Sequence, residues 1–305
     1  MPQKVAIESW DPDYGVPSTD HAEETDVEIN VDVEVPEQRW VPIPAQAEQR
    51  PEALLFIDGV RRVDANAWLE DDGTPVRQGM FASFAAGAVR VADQAHVDRL
   101  EVRRTLFASG NPEAFVTRAG IYEPFGVATP GADALSSALQ ERLGDLEVEV
   151  AARVADNADL VVVDGPLYRR QHLPRTIGYV KTHRVQYLKG RPLETIAALA
   201  ERERTPVFRF RTSWTRHAWY FRLPGPKTHA WSGVVRMEAT ADLPLDETLA
   251  LANLTAAVLP RYASKPHKDP RAPQNLYPIA GLERELRRRL GDAVYVERAL
   301  RAAAG

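Results

Sequence analysis

A chain of 305 residues, 44% of them hydrophobic and 27% charged, is long enough for one large domain or two modest ones and has the composition of a globular protein. The net charge is −5, and the absence of cysteine excludes disulfides, thiolate metal ligands and a cysteine nucleophile. No apolar run approaches the roughly 18 residues of a membrane helix, and no apolar signal segment opens the chain. We therefore expect a cytoplasmic protein with no membrane partner.

Acidic residues are concentrated in the first 50 positions. Residues 1–50 contain 3 Lys and Arg against 12 Asp and Glu, whereas the rest of the chain contains 35 basic and 31 acidic residues. Alternation of Val or Ile with mostly acidic residues predicts a half-buried strand over residues 26–35, with its acids in solvent. The sequence thus predicts an acidic N-terminal segment, residues 1–48. Residues 1–25 lack apolar periodicity, and we expect them to be dispensable for folding.

The second predicted domain, residues 49–305, opens with a strand that is buried on both faces. Residues 54–57 form an uninterrupted apolar run that ends on Asp58-Gly59. Alternating patterns then predict a meander of about three strands. These strands cover residues 61–69, 79–91 and 97–107, with a turn at residues 71–73.

The clearest predicted helix covers residues 131–156. Its apolar residues recur at helical spacing, at Leu135, Leu139, Leu143, Leu146, Val150 and Val154. At about 100° per residue, Glu147 lies at the edge of this apolar stripe and Glu149 lies beyond its other edge. The position of Glu147 fits a solvated boundary residue as well as a functional one.

A second buried strand follows, and it has the same design as the first. Residues 160–163 are apolar and lead into Asp164-Gly165-Pro166, so a carboxylate again stands where the chain turns. An Asp-Gly pair is also the commonest hairpin signal, so each Asp fits a simple turn residue too. Two such strands nevertheless favour a site, because ligands gather at the carboxyl ends of strands in open α/β sheets.

The remaining elements are predicted from shorter patterns. Strands are expected over residues 177–185, 206–211, 219–223 and 231–239, and helices over residues 193–204, 245–259 and 279–290. A polar loop rich in proline is expected over residues 261–278. The aromatic residues from Trp214 to Trp231 fit a hydrophobic sheet face better than a surface on which bases stack.

The order strand-Asp, meander, helix-Glu, strand-Asp is the layout of the ribonuclease H-like fold. The predicted class is therefore α/β, with a mixed central sheet flanked by helices, added strands and the acidic N-terminal segment. Carboxylates that converge in this fold bind one or two divalent cations, and oxygen ligands suit Mg²⁺ or Mn²⁺. We predict that Asp58 and Asp164 lie on adjacent strands and that Glu147, rather than Glu149 or Glu101, completes the cluster.

The chain resembles the NurA nuclease family, a ribonuclease H-like group that works with the hexameric HerA ATPase in DNA end processing. The resemblance covers roughly residues 50–300. It rests on Phe56-Ile-Asp-Gly-Val60, the helix with Glu147, Leu160-Val-Val-Val-Asp-Gly-Pro-Leu167, Gly178-Tyr-Val-Lys181 and Asn275-Leu-Tyr-Pro-Ile279. It implies a metal-dependent deoxyribonuclease in DNA end processing, repair or defence, with DNA and a HerA-type ATPase as partners, and a homodimer.

The resemblance also assigns roles to single residues. It implies that Asp58, Glu147 and Asp164 are metal ligands and that Tyr277 lies near the site. Lys181 fits either a contact to the scissile phosphate or a solvated lysine at a strand end.

The sequence departs from the family pattern near its C-terminal end. The family usually has a His about two turns after the tyrosine, and residues 279–289 contain none. Asp269, Gln274 and Asn275 are candidates for its role, whereas His183 and His267 are expected at the surface. The departure keeps open a non-catalytic module that binds DNA or an ATPase. No phosphate-binding glycine loop and no Gly-x-Ser-x-Gly motif occurs, so a partner would supply any ATP hydrolysis.

Overall fold

The computed structural model describes residues 27–46, 51–70, 76–183 and 185–305. Three predictions concern positions outside these residues: the dispensable segment 1–25, the turn at residues 71–73 and the domain boundary after residue 48. They stay predictions.

The described chain contains runs of consecutive strands separated by helices. Its strands are β1 (Glu28–Asn30), β2 (Ile43–Pro44), β3 (Leu54–Leu69), β4 (Arg77–Val91), β5 (Ala95–Ser109), β6 (Phe115–Thr117), β7 (Gly120–Val127), β8 (Leu160–Asp164), β9 (Thr176–Val180), β10 (Glu203–Arg204), β11 (Phe208–Arg211), β12 (Thr215–Arg222) and β13 (Val234–Thr240). Its α-helices are α1 (Ala132–Val154), α2 (Gly190–Ala198), α3 (Leu245–Val258), α4 (Tyr277–Arg289) and α5 (Ala293–Ala304).

The chain divides into two units. The first unit contains the described residues up to Phe56, together with Val91–Asp93 and Ala158–Ala280. Its strands follow the order β1-β11-β12-β13-β9-β8, with the first residues of β3 beside β8. β8 and β9 are parallel whereas β13 and β9 are antiparallel, so the sheet is mixed.

The core of the first unit explains why β8 is uniformly apolar. All four residues Leu160–Val163 are completely buried, because apolar side chains cover both faces of this strand. Leu160 and Val162 belong to the same cluster as Trp219 of β12 and Ala252 of α3. The strand ends at Asp164, as the sequence predicts.

The second unit contains Ile57–Arg90, Gln94–Asn157 and Gly281–Gly305. Its strands follow the order β3-β4-β5-β7-β6, in which β5 and β7 are parallel and β6 and β7 antiparallel. The C-terminal helix α5 contributes Val296 and Leu300 to a cluster with Phe81, Leu106 and Tyr122. Both units thus consist of a mixed sheet with helices, and the predicted α/β class is confirmed.

The N-terminal strand is shorter than predicted. β1 ends at Asn30, whose side-chain carbonyl accepts a hydrogen bond from the backbone N–H of Asp32 at 2.9 Å and stabilises a turn. Glu34 is not in solvent, because both its oxygens accept hydrogen bonds from Arg204, at 2.8 and 2.9 Å. Only 12% of the Glu34 side chain is exposed.

Several other boundaries also differ from the predictions. β3 does not end at Asp58-Gly59 but continues to Leu69, and the strand predicted over residues 177–185 ends at Val180. The helix predicted over residues 193–204 ends at Ala198, and part of its remainder forms the short strand β10. Strands β6 and β7 and helix α5 were not predicted.

Candidate active site

Two of the predicted site residues, Asp58 and Glu147, each lie next to Gly59 in the second unit. Asp58 is 9% and Glu147 6% exposed. The backbone N–H of Gly59 donates to Asp58 Oδ1 at 2.8 Å. A methyl group placed on Gly59 would lie 2.3 Å from Glu147 Oε1, so the Glu147 carboxylate occupies the space that any larger residue would need. The fold thus brings two carboxylates to one glycine.

The two candidate glutamates of α1, Glu147 and Glu149, differ in burial, as the periodicity of the helix predicts. Glu147 is among the buried residues of α1. Glu149 instead forms an ion pair with Arg103 at 2.5 Å, and 39% of its side chain is exposed. The hydrogen bond from Arg103 lowers the pKa of Glu149. The predicted position of Glu147 on the helix is confirmed, and its role as a metal ligand stays a prediction.

Asp164 and Lys181 meet in the first unit, where the parallel strands β8 and β9 end. Asp164 is the last residue of β8 and Lys181 follows the last residue of β9. Lys181 Nζ donates to Asp164 Oδ2 at 2.6 Å, and the side chains are 5% and 12% exposed, respectively. Among the residues that the structure describes, no hydrogen-bond donor contacts the buried Asp164 Oδ1. A site at the end of the strand that carries Asp164 was predicted, but this ion pair was not.

Lys181 is connected to a row of polar side chains from the loop before α4. Its ammonium also donates to Asn275 Oδ1 at 3.1 Å, and Asn275 Nδ2 donates to Asp269 Oδ2 at 2.7 Å. The other oxygen of Asp269 accepts a hydrogen bond from the backbone N–H of Arg271 at 2.8 Å. Burial raises the pKa of Asp269, but the hydrogen bonds from Arg271 and Asn275 outweigh burial and lower the pKa below its ordinary value.

The turn after Asp164 is fixed by two glycines: Gly165, which the sequence predicts as a turn residue, and Gly178, for which it predicts no role in the turn. Gly165 has a φ of 92°, in the left-handed region that favours glycine. A methyl group on Gly178 of β9 would lie 2.6 Å from the backbone nitrogen of Leu167, so the turn packs directly on this glycine. The same N–H of Leu167 donates to Glu238 Oε2 at 3.1 Å.

Glu238 is completely buried in β13 between two arginines. Its Oε1 accepts a hydrogen bond from Arg236 Nη2 at 2.8 Å, and its Oε2 lies 3.5 Å from Arg216 Nη1. The only signal in the sequence is an acid within an otherwise largely apolar strand, which does not reveal the partner of that acid.

Comparison with known proteins assigns the family. The family model described as NurA domain matches residues 133–288, just over half of the chain. The chain belongs to the NurA family. No curated protein sequence matches it. Among solved structures, it is similar to the crystal structure of the NurA nuclease from Sulfolobus solfataricus, with 11% sequence identity and a TM-score of 0.52 over 83% of this chain and 86% of that one. This similarity shows the fold alone.

Tyr277 and Gln274, two of the predicted residues at or just before the start of α4, make different contacts in this NurA family member. Tyr277 begins α4, and Lys268 Nζ lies 5.6 Å from the centre of its ring. Gln274 contributes its backbone carbonyl, which accepts a hydrogen bond from the buried Tyr179 hydroxyl at 2.7 Å. Burial and the nearby Asp164 carboxylate raise the pKa of Tyr179. The role of Tyr277 in the site stays a prediction.

The two histidines that were expected at the surface differ. His267 is exposed, as predicted. The prediction is wrong for His183, whose ring packs against Tyr220 and Trp231 and donates to the Val234 carbonyl at 3.0 Å. Burial lowers the pKa of His183 to about 4, so the ring is neutral at pH 7. Trp219 and Tyr220 are also buried, which confirms the predicted hydrophobic sheet face.

Within the described ranges, no three Asp, Glu or His side chains are grouped so that they could hold a metal ion. The predicted grouping of Asp58, Glu147 and Asp164 is thus not seen in the described residues, and their role as metal ligands stays a prediction. None of the helices in these ranges is long and apolar enough to span a membrane.

Proposed function

We propose that this NurA family protein is a metal-dependent deoxyribonuclease that hydrolyses phosphodiester bonds. The observation that carries the proposal is that two buried carboxylates each lie against Gly59: Asp58 accepts the hydrogen bond of the Gly59 N–H, and Glu147 fills the space where a side chain would stand. Burying two acids without a function is costly, since each charge loses its hydration. Membership of a family that includes a protein described as a nuclease supports the same activity.

The chemistry of these residues fits a divalent cation. Asp58, Glu147 and Asp164 offer only oxygen ligands, which suit Mn²⁺ or Mg²⁺. Asp164 has a buried oxygen with no hydrogen-bond donor among the described residues, so this atom is available to a cation. We propose these three residues as the ligands. When bound, a divalent cation supplies positive charge that stabilises negative charge developing on the phosphate oxygens.

The proposed roles of the protein's own residues follow from their charges. Lys181 places a positive charge beside Asp164, and this charge attracts the phosphate of the substrate. The turn that packs on Gly178 and bonds to Glu238 fixes the direction of the chain after Asp164. A rigid support of this kind keeps reacting groups aligned, which accounts for a large part of the barrier reduction in many enzymes.

The proposed partners follow from the family. We propose that the protein acts on DNA in end processing, repair or defence, in the cytoplasm, as a homodimer and together with a HerA-type hexameric ATPase.

A second candidate function is a non-catalytic module that binds DNA or the ATPase. The ion pair between Lys181 and Asp164 favours this candidate, because the ammonium already neutralises one of the proposed ligands. The two functions differ in whether the purified protein cuts DNA.

The proposal is tested with the purified protein and single- and double-stranded DNA in Mn²⁺ or Mg²⁺, alone and with the candidate ATPase. Asp164→Asn retains the size of the side chain but loses the charge that holds a cation, so we expect the cleavage rate to fall at least about 100-fold. Thermal unfolding checks that the variant is folded. If the wild-type protein and Asp164→Asn are equally inert in both settings, the second candidate replaces the first.

Helix α1 supplies a matched pair of variants. Glu147→Gln should reduce cleavage by a factor similar to that of Asp164→Asn. Glu149→Gln, two residues away and paired with Arg103 at the surface, should cut at nearly the wild-type rate. The opposite result would show that Glu149 is the functional acid.

A further inference from the structure

The loop before α4 contributes two buried polar side chains, Asn275 and Asp269, which are candidates for the role of the missing histidine and to which the proposed function assigns no contact with the substrate. Asn275 is completely buried and Asp269 is 7% exposed. Each contacts the next group in a row that leads to Asp164 by way of Lys181. Burying polar groups costs free energy, which their hydrogen bonds only offset. A row of buried polar side chains of this kind therefore requires an explanation.

We propose that Asn275 and Asp269 are positioning residues that hold the Lys181 ammonium at Asp164. The proposal rests on the proposed nuclease function for its consequence in catalysis, whereas the row of contacts itself does not. We call Lys181, Asn275 and Asp269 the lysine relay.

The chemistry of the end members determines the orientation of the amide between them. Lysine only donates hydrogen bonds and an ionised carboxylate only accepts them, whereas an asparagine amide does both. Asn275 therefore satisfies both neighbours only with its oxygen toward Lys181 and its nitrogen toward Asp269, which is the arrangement in the structure. Asp269 thus determines which end of the amide meets Lys181.

A lysine at this place needs such support. Its four-carbon stem loses conformational entropy when it is fixed, and a single ion pair fixes only one direction. Asn275 adds a second acceptor, so the ammonium is held from two sides. The loop itself is held by backbone bonds from Ala272 N–H to the Asp269 carbonyl and from Asn275 N–H to the Arg271 carbonyl.

The relay predicts that exchanging its acid and its amide restores it. Asn275→Asp places two carboxylates against each other. Their repulsion should turn the new carboxylate away from Asp269 and draw the Lys181 ammonium with it, so we expect Lys181 to lose its fixed position at Asp164. Combining Asn275→Asp with Asp269→Asn exchanges the acid and the amide. The carboxylate at position 275 then accepts from Lys181, and the amide at position 269 donates to that carboxylate. The asparagine introduced at position 269 can still accept the backbone N–H of Arg271 through its oxygen.

The position of Lys181 is measured by NMR of the side-chain amine, without any activity. The chain has six lysines, so a sample labelled at lysine nitrogen gives few signals, and Lys181→Arg assigns one of them. An ammonium that is buried and hydrogen-bonded exchanges its protons slowly and gives a signal at neutral pH. We expect this signal in the wild-type protein, its loss in Asn275→Asp and its return in the exchanged double variant.

Cleavage kinetics test the consequence for the site. We expect Asn275→Asp to lower kcat about 10- to 100-fold with little change in KM, because misplacement affects chemistry more than binding. The double variant should recover most of this loss. Asn253→Asp is the matched control: Asn253 accepts a hydrogen bond from Arg204 at 2.7 Å elsewhere in the unit, and its variant should keep both the amine signal and kcat.

The outcomes separate the two proposals. An unchanged Lys181 signal in Asn275→Asp, or a double variant that fails to recover it, overturns the relay whatever the activity. A wild-type protein that shows the expected amine signals but cuts no DNA supports the relay and refutes the nuclease function. If Asn275→Asp does not fold, Asp269→Asn alone gives the same test, with a weaker expected loss because the amide of Asn275 is then free to turn.

Discussion

The two groups of candidate site residues are held in place by different means. In the first unit, Asp164 and the turn after it are held by hydrogen bonds to side chains far along the chain, from Lys181 and to Glu238. In the second unit, Glu147 is packed against Gly59, a position without a side chain. The first group therefore depends on the balance of buried charges, and the second on the absence of one methyl group.

The largest expected effect comes from breaking the charge balance in the first unit. Glu238→Gln keeps the shape of the side chain but leaves the buried Arg236 and Arg216 without their counter-charge. Removing one partner of a buried ion pair costs about 3–5 kcal/mol, so we expect a loss of that size in the free energy of unfolding. Urea denaturation measures it.

The control for Glu238 is an exposed ion pair. Glu297→Gln removes the partner of Arg301 on the surface of α5 and should change stability by less than about 1 kcal/mol. Similar small losses in both variants would show that the buried arginines do not depend on Glu238.

This difference also explains what the sequence could predict. The buried strand β8 and the helix α1 follow from local apolar patterns, so Asp164 and Glu147 were found as candidates. The partners Asn275 and Glu238 lie 94 and 71 residues away from the residues they contact. No local pattern reports such contacts, because they depend on tertiary folding.

The predictions that were wrong failed for the same reason, because contacts between distant parts of the chain decide the structure there. Asp58-Gly59 has the composition of a turn, yet β3 continues through it, so local turn propensity did not decide the structure. His183 stands in a polar segment, but Tyr220 and Trp231 from distant parts of the chain cover it. In both cases tertiary packing outweighs the local pattern.

An intermediate effect is expected from Gly178, which supports the turn after Asp164. An added methyl group would lie 2.6 Å from Leu167 N and 3.0 Å from Gly165 O, and these backbone atoms can move only if the turn moves. We expect Gly178→Ala to lower the free energy of unfolding by about 1–3 kcal/mol, the usual cost of overpacking. Calorimetry or urea denaturation measures it.

Gly144 provides the control for Gly178, because an added methyl group should do no harm there. It lies in α1, and a methyl group there meets nothing within 4 Å. Gly144→Ala should stabilise the protein by up to about 1 kcal/mol, because alanine favours the helix. If Gly178→Ala were equally harmless, the turn would be adaptable and the packing argument for Asp164 would fail.

The smallest effect on stability, and the most selective effect on the site, is expected at Gly59. Here the added methyl group would meet Glu147 Oε1 at 2.3 Å and Leu143 Cδ1 at 2.7 Å, which are both ends of flexible side chains. These ends can move away, so Gly59→Ala should cost less than about 1 kcal/mol of stability, as for a change that the surroundings absorb. The moved carboxylate should nevertheless lower cleavage about 10- to 100-fold, the scale of a misplacement near 1 Å.

Adding Glu147→Asp shortens the acid by one methylene group and makes room for the methyl group, so the double variant should cut faster than Gly59→Ala alone. A double variant that is slower than both single variants would show that Glu147 acts through its full length and that the contact with Gly59 is incidental.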